Sequence, residues 1–152
     1  MKSLTNIRKA TLEDMQGIRD LVMDLAIYEK APEEVNTTLQ DYEKNYLEGV
    51  FDAIVAEFEG KIVGMSLYYI AWSTWKGRML YLEDFVVKES MRGHGVGKLL
   101  FDAFLQEAIA RDCRLVKWQV LDWNAPAQKF YMQYKTVFDK EWWNGKIYLN
   151  AE

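Results

Sequence analysis

Tyr81-Leu82-Glu83-Asp84-Phe85-Val86-Val87-Lys88-Glu89-Ser90-Met91-Arg92-Gly93-His94-Gly95-Val96-Gly97-Lys98-Leu99-Leu100 is the stretch on which the fold turns. It reads as an apolar strand, a short polar turn, a glycine-rich loop and the first turn of a helix. Two carboxylates, Glu83 and Asp84, interrupt the strand. A buried strand that runs into glycines at a helix start presents backbone N–H groups to an anion. Missing Cβ atoms let a diphosphate approach the main chain, and the helix dipole favours its charge. The spacing is not that of the ATP or GTP loop, because Gly97-Lys98 is followed by Leu99 where Ser or Thr is required. Nor is it the dinucleotide fingerprint, because Gly93, Gly95 and Gly97 do not fall in Gly-x-Gly-x-x-Gly order. What remains is Arg-x-x-Gly-x-Gly, Arg92 to Gly97, at a strand-to-helix junction.

Working outward, Asn6 to Lys9 is a short strand candidate. Thr11 then caps a helix, with Asp14 reaching back to it. Met15, Ile18, Leu21, Val22, Leu25 and Ala26 recur at helical spacing, and the helix ends near Glu29, before Pro32. Thr38 and Asp41 repeat the capping pattern for a second helix, closed by Gly49. Asp52 to Phe58 and Lys61 to Ile70 form a hairpin about Glu59-Gly60. A loop from Ala71 to Gly77 leads to the strand Arg78 to Val87. Helical periodicity returns with Val96, Leu99, Leu100, Ala103, Phe104 and Ala108. Leu115 to Val120 reads as a strand, and Asn124-Ala125-Pro126 starts a helix carrying Phe130 and Tyr131. Val137 to Asn150 reads as a final hairpin with its turn near Asn144-Gly145. The order describes one α/β domain over residues 1–152, a sheet with helices on its faces.

The composition agrees. The chain is 50% hydrophobic with a net charge of −4. That balance argues against nonspecific binding to nucleic acid or an anionic membrane and is compatible with a small cationic ligand. A single cysteine, Cys113, excludes an internal disulfide. One histidine and one cysteine give a metal little to bind. No secretory pattern opens the chain, and no apolar run reaches the ~20 residues of a membrane span. The expectation is a cytoplasmic protein.

Arg92-Gly93-His94-Gly95-Val96-Gly97 resembles the acetyl-CoA loop of the GNAT N-acetyltransferases. Tyr81 to Val87, Trp123-Asn124-Ala125-Pro126, Phe130-Tyr131, Ile7 to Thr11 and Leu25 to Glu29 resemble the diamine (spermidine/spermine) branch of that family. The resemblance covers most of the chain, with all elements in order. It implies the GNAT acyl-CoA N-acyltransferase fold, a mixed central sheet flanked by helices. It also implies acetyl transfer from acetyl-CoA to a primary amine of a small polyamine or diamine-like substrate, by a homodimer. Two departures bear on substrate choice. The glycine usual four residues after the tyrosine is Lys135 here, and the loop before the Lys61 strand is shortened to Glu59-Gly60.

The chemistry needs a neutral amine, although an alkylammonium has a pKa of about 10.4. It also needs donors to the carbonyl oxygen and a proton for the leaving thiolate. The resemblance makes Glu83 the base, acting through water, and Tyr131 the acid to the coenzyme A thiolate. A carboxylate set among Leu80, Leu82, Phe85 and Val86 is expected to be desolvated and its pKa raised. By resemblance Glu29, Glu83 and Asp84 bind the substrate. In a regular strand Asp84 points away from Glu83, so it joins the site only if the strand is bulged or splayed. The resemblance implies that acetyl-CoA is held by Arg92, Gly93, His94, Gly95, Val96, Gly97 and Lys98, by main-chain bonds from Phe85 and Val87, and by Asn124 and Tyr131. Each has a plainer alternative: a capping Asn124, a core Tyr131, a solvated Glu29. Trp72, Trp75, Trp142 and Trp143 are too many aromatics for a small core and suit a cleft or a subunit contact. Other readings are a GNAT module that binds acyl-CoA without transferring the acyl group, and acetylation of thialysine-like amino acids or protein amines.

Overall fold

The computed structural model describes residues 4–149. These fall into two compact units, one extending to Gln119 and one beginning at Val120. The first contains β1 (Asn6–Lys9), α1 (Met15–Tyr28), α2 (Leu39–Leu47), β2 (Asp52–Phe58), β3 (Lys61–Ser73), β4 (Gly77–Val87), α3 (Val96–Ala110) and β5 (Leu115–Trp118). The second contains α4 (Ala125–Tyr131).

The helix starts are set by capping. The Thr11 N–H donates to Asp14 Oδ2 at 2.7 Å. At α2 the exchange is reciprocal: Thr38 N–H to Asp41 Oδ2 at 2.8 Å, and Asp41 N–H to Thr38 Oγ1 at 3.1 Å. Each pair satisfies backbone donors that a helix start leaves unpaired. Asp14 is held in addition by both terminal nitrogens of Arg8, at 2.7 and 3.0 Å.

The strands form one five-stranded sheet in the order β1-β2-β3-β4-β5. Its first three pairings are antiparallel and β4-β5 is parallel. Met15, Ile18 and Leu21 of α1 are buried in one cluster with Ala53, Val55, Met65, Leu67 and Val86 of the sheet. The other face takes α3. Ser66 Oγ donates to the Leu100 carbonyl at 3.2 Å, and Tyr68 and Phe85 meet Phe104 and Phe101 with ring centroids 5.8 and 5.7 Å apart. Gly64 permits this close approach: a Cβ there would lie 2.9 Å from Leu100 Cδ1 and 3.1 Å from the Val86 carbonyl oxygen.

Three expectations are corrected. Ala71, Trp72 and Ser73, read as loop, continue β3 and pair with Met79, Arg78 and Gly77. The connection shrinks to Thr74-Trp75-Lys76, closed by the Lys76 N–H on Ser73 Oγ at 3.0 Å. At this end of the hairpin the exposed positions, Ile70 and Trp72, are themselves apolar, so the sequence lacks the apolar-polar alternation that marks a strand. β5 ends at Trp118, short of the expected Val120. The final hairpin is absent: residues 137–149 form no strand, and Asn150 lies outside the described residues. A two-stranded hairpin is marginal without a third strand or a surface to cover. In this segment Trp142, Trp143, Ile147 and Leu149 are exposed.

Candidate active site

The site is organised by an irregularity in β4. Leu82 pairs with Tyr68 and Asp84 with Leu67, so Glu83 is an extra residue with no ladder partner. Such a bulge re-aims the side chains on either side of it. Glu83 follows Tyr81 by two positions and shares its face, and Asp84 shares the face of its ladder partner Leu67. Tyr69, also two positions from Leu67, pairs with Tyr81 and stacks on it at 5.3 Å. The Tyr69 hydroxyl donates to Glu83 Oε1 at 3.0 Å. Both carboxylates therefore stand on the α1 side of the sheet, and the condition set for Asp84 to join Glu83 is met.

Their surroundings differ. Glu83 is exposed and Asp84 is half-buried. The desolvation expected at Glu83 thus falls on its neighbour, because the bulge turns Asp84 inward. Burial first, then the charges of Glu83 and Glu29, push the Asp84 carboxyl up to about 7. Glu29, the half-buried C-cap of α1, is raised by burial. Tyr42 of α2 is raised by burial, with a further contribution from the charge of Asp84. Among the described residues, no salt bridge reaches Glu29, Glu83 or Asp84. Three acids gathered without a cation can take a cationic ligand.

The glycine-rich loop lies past the end of the same strand. A 3-10 turn, Glu89–Met91, leads to Arg92, whose Nε donates to the Val87 carbonyl at 3.1 Å. The guanidinium sits over the Tyr28 ring, 5.6 Å from its centroid, and so joins the loop to the end of α1 beside Glu29. Gly93 and Gly95 have φ of +80° and +81°, a region that side chains rarely adopt, and Gly95 is the N-cap of α3. Arg92, Gly93, His94 and Gly95 are exposed. Val96 is buried. Lys98 is exposed and pairs with Asp102 at 3.2 Å. The first N–H groups of α3 have no partner within the helix, and no side chain caps it.

β5 pairs with β4 only from Met79 to Leu82, so the ladder between them stops before Phe85 and Val87. That is the geometry required if an amide-bearing chain is to lie alongside this end of β4 as an added strand. In the second unit the Asn124 side chain accepts from the Ala127 N–H at 3.3 Å, so it is the N-cap of α4, with Pro126 in the first turn. Tyr131 is buried, edge-on to Phe130 at 5.6 Å. Its carbonyl accepts from Thr136 Oγ1 at 2.6 Å, which closes the turn where Lys135 replaces the usual glycine. Sequence reasoning did not single out Tyr69, Tyr28 or Thr136. Tyr69 left no signal, because its place opposite Tyr81 depends on the β3–β4 register that the expected loop from Ala71 to Gly77 missed.

The architecture has solved counterparts. An aminoglycoside acetyltransferase from an uncultured soil metagenomic sample superposes with a TM-score of 0.81 at 19% identity, covering 97% of this chain and 98% of the other. At the sequence level residues 15–134 match the acetyltransferase (GNAT) family, and the chain belongs to it. It is 34% identical to the thialysine N-epsilon-acetyltransferase of Bos taurus over 135 residues, 82% of this chain and 79% of that one. It is 30% identical to the human spermidine/spermine N(1)-acetyltransferase-like protein 1 over 134 residues, 82% of this chain and 19% of that one. It is an acetyl-CoA-dependent N-acetyltransferase.

Proposed function

We propose that this enzyme acetylates a primary amine of a small substrate carrying more than one positive charge, such as a diamine, a polyamine or a thialysine-like amino acid. The observation that carries the reading is the bulge at Glu83, which sets Glu83 and Asp84 on one face near Glu29 with no cationic side chain paired to them. One ammonium of the substrate rests against this group while the other loses its proton to a carboxylate of the bulge. Acetyl-CoA binds by its diphosphate to main-chain N–H groups between Arg92 and Lys98. Its pantetheine runs along β4 at Phe85 and Val87, with Asn124 a further contact. Tyr131 donates to the departing thiolate. A phenol at about 10 facing a thiol near about 8.5 acts here as a strong hydrogen-bond donor more than as a full acid. The single domain over residues 1–152, the cytoplasmic location and the homodimer are part of the same reading. Exposed Trp72 and Trp75 on the β3–β4 hairpin, and Trp142 and Trp143 further on, support a subunit contact.

Release of free thiol from acetyl-CoA, measured with spermidine, putrescine, thialysine and a lysine peptide, tests the reading. Spermidine or thialysine is expected to outrun the peptide. Tyr131→Phe is expected to lower kcat by about 100-fold, within the range of general acid catalysis, with acetyl-CoA affinity retained. Acetyl-CoA binding with no turnover of any amine would instead favour an acyl-CoA-binding module.

A further inference from the structure

Two adjacent carboxylates, Glu83 and Asp84, reach the same face of β4, and the resemblance assigns proton removal to the first. The geometry divides them otherwise. Glu83 is exposed, and the Tyr69 hydroxyl at 3.0 Å fixes one of its oxygens. A carboxylate held in water by a donor suits the role of a charge that attracts a cation. Asp84 is half-buried, and among the described residues no hydrogen bond or ion pair reaches its carboxylate. A desolvated carboxylate without a donor has the stronger tendency to take a proton.

We infer that Asp84, not Glu83, takes the proton from the attacking ammonium, and that Glu83 holds the substrate's charge. The inference rests on the amine-acetylation reading above and specifies its base. The groups that bear on Asp84 are Glu83 beside it on β4, Glu29 at the end of α1, Tyr42 on α2 and Tyr69 on β3. The charge of Arg19 on α1 acts on Tyr42. Two of these neighbours are acids and none is a cation paired to Asp84, so its proton affinity is set near neutrality, where a base is most useful.

In the step, the ammonium gives one proton to Asp84. The nitrogen lone pair forms a bond to the thioester carbonyl carbon, and the carbon–sulfur bond breaks. Tyr131 delivers a proton to the departing sulfur, the acylated nitrogen loses its second proton to solvent, and solvent returns one to the Tyr131 oxygen. The products are the acetamide, the coenzyme A thiol and one proton, which Asp84 returns to solvent.

The test compares kcat/KM for spermidine and thialysine from pH 5 to 9 in the wild type, Asp84→Asn and Glu83→Gln. The wild-type profile is expected to rise through an inflection near the Asp84 value of about 7. Asp84→Asn is expected to lose that inflection and at least about 100-fold in kcat, with acetyl-CoA binding unchanged by calorimetry. Glu83→Gln is expected to keep the inflection but move it to lower pH, because a negative neighbour is gone, and to raise the KM of the amine about tenfold. An inflection that survives in Asp84→Asn overturns the inference, and so does one that disappears in Glu83→Gln. The Glu83→Gln profile decides even if Asp84→Asn does not fold. A wild type inactive on every amine fails the acetylation reading itself, a result visible before either variant is made.

Discussion

A carboxyl group that titrates near 7 in the native chain titrates at about 3.9 once unfolded. Between those values the native state binds the extra proton, so Asp84 removes stability as the pH rises and the loss is complete above about 7. Asp84→Asn is therefore expected to stabilise the fold at pH 8 by about 1–2 kcal/mol. This is well below the face value of the shift, because solvent reaches a half-buried group. The gain should shrink toward nothing below about pH 3, where the carboxyl is protonated in the native and the unfolded chain alike, and urea titrations at pH 8 and at about pH 3 measure it. Asp14 has the opposite sign. Arg8 first, and Thr11 after it, hold its carboxyl below the usual range, so its contribution is present above about 3.9 and is lost as the pH falls further. Asp14→Asn is expected to cost about 1–2 kcal/mol at pH 7, through a weakened ion pair and cap. A stabilised Asp14→Asn, or a destabilised Asp84→Asn, would show that these environments are misread. One aspartate stabilises the fold and the other opposes it, as expected when a residue is kept for chemistry.

Among the elements, those governed by local rules were legible in the sequence. The Thr11–Asp14 and Thr38–Asp41 caps, the hairpin at Glu59-Gly60 and the glycine-led start of α3 each depend on residues close together in the chain, and each stands where its pattern placed it. What could not be read depends on a partner across the sheet. The bulge at Glu83 is a mismatch in count between β3 and β4, invisible in either strand alone, and it decides which carboxylate is buried. The far end of β3 was missed because its outward residues, Ile70 and Trp72, are apolar and hide the alternation. Residues 137–149 have a strand's composition but form no strand. The loop gives a test at this scale. Gly93 has φ of +80° and no atom within 4 Å of where a Cβ would be, so Gly93→Ala adds backbone strain and no clash. Strain of about 1 kcal/mol should lower Tm by roughly 2–4 °C. If main-chain N–H groups grip the diphosphate, acetyl-CoA affinity should fall at least several-fold while the amine KM stays within about twofold. Unchanged acetyl-CoA affinity in that variant would move the diphosphate elsewhere.

For the molecule as a whole, one ion-pair network ties the elements of the first unit. Lys9 and Arg111 both pair with Asp52 and Glu107, joining β1, β2 and α3, while Arg8 spans Asp14 and Glu57. The surface also exposes large apolar side chains. Trp143 is 97% exposed, Leu149 90%, Ile147 89% and Trp75 82%. Single exposed hydrophobics are ordinary, but several close together in sequence point to a surface that another chain covers. Each such side chain gains roughly 1.5–3 kcal/mol when removed from water. Covering these side chains on both copies would remove that apolar surface from water and favour association. A homodimer is therefore expected, with light scattering giving twice the mass of the chain at micromolar concentration. Replacing Trp143 and Ile147 together by Ser should return it to a monomer that keeps the far-UV spectrum of the wild type, because neither residue belongs to a helix or strand. A wild type that scatters as a single chain at those concentrations would leave these side chains without the partner their exposure implies.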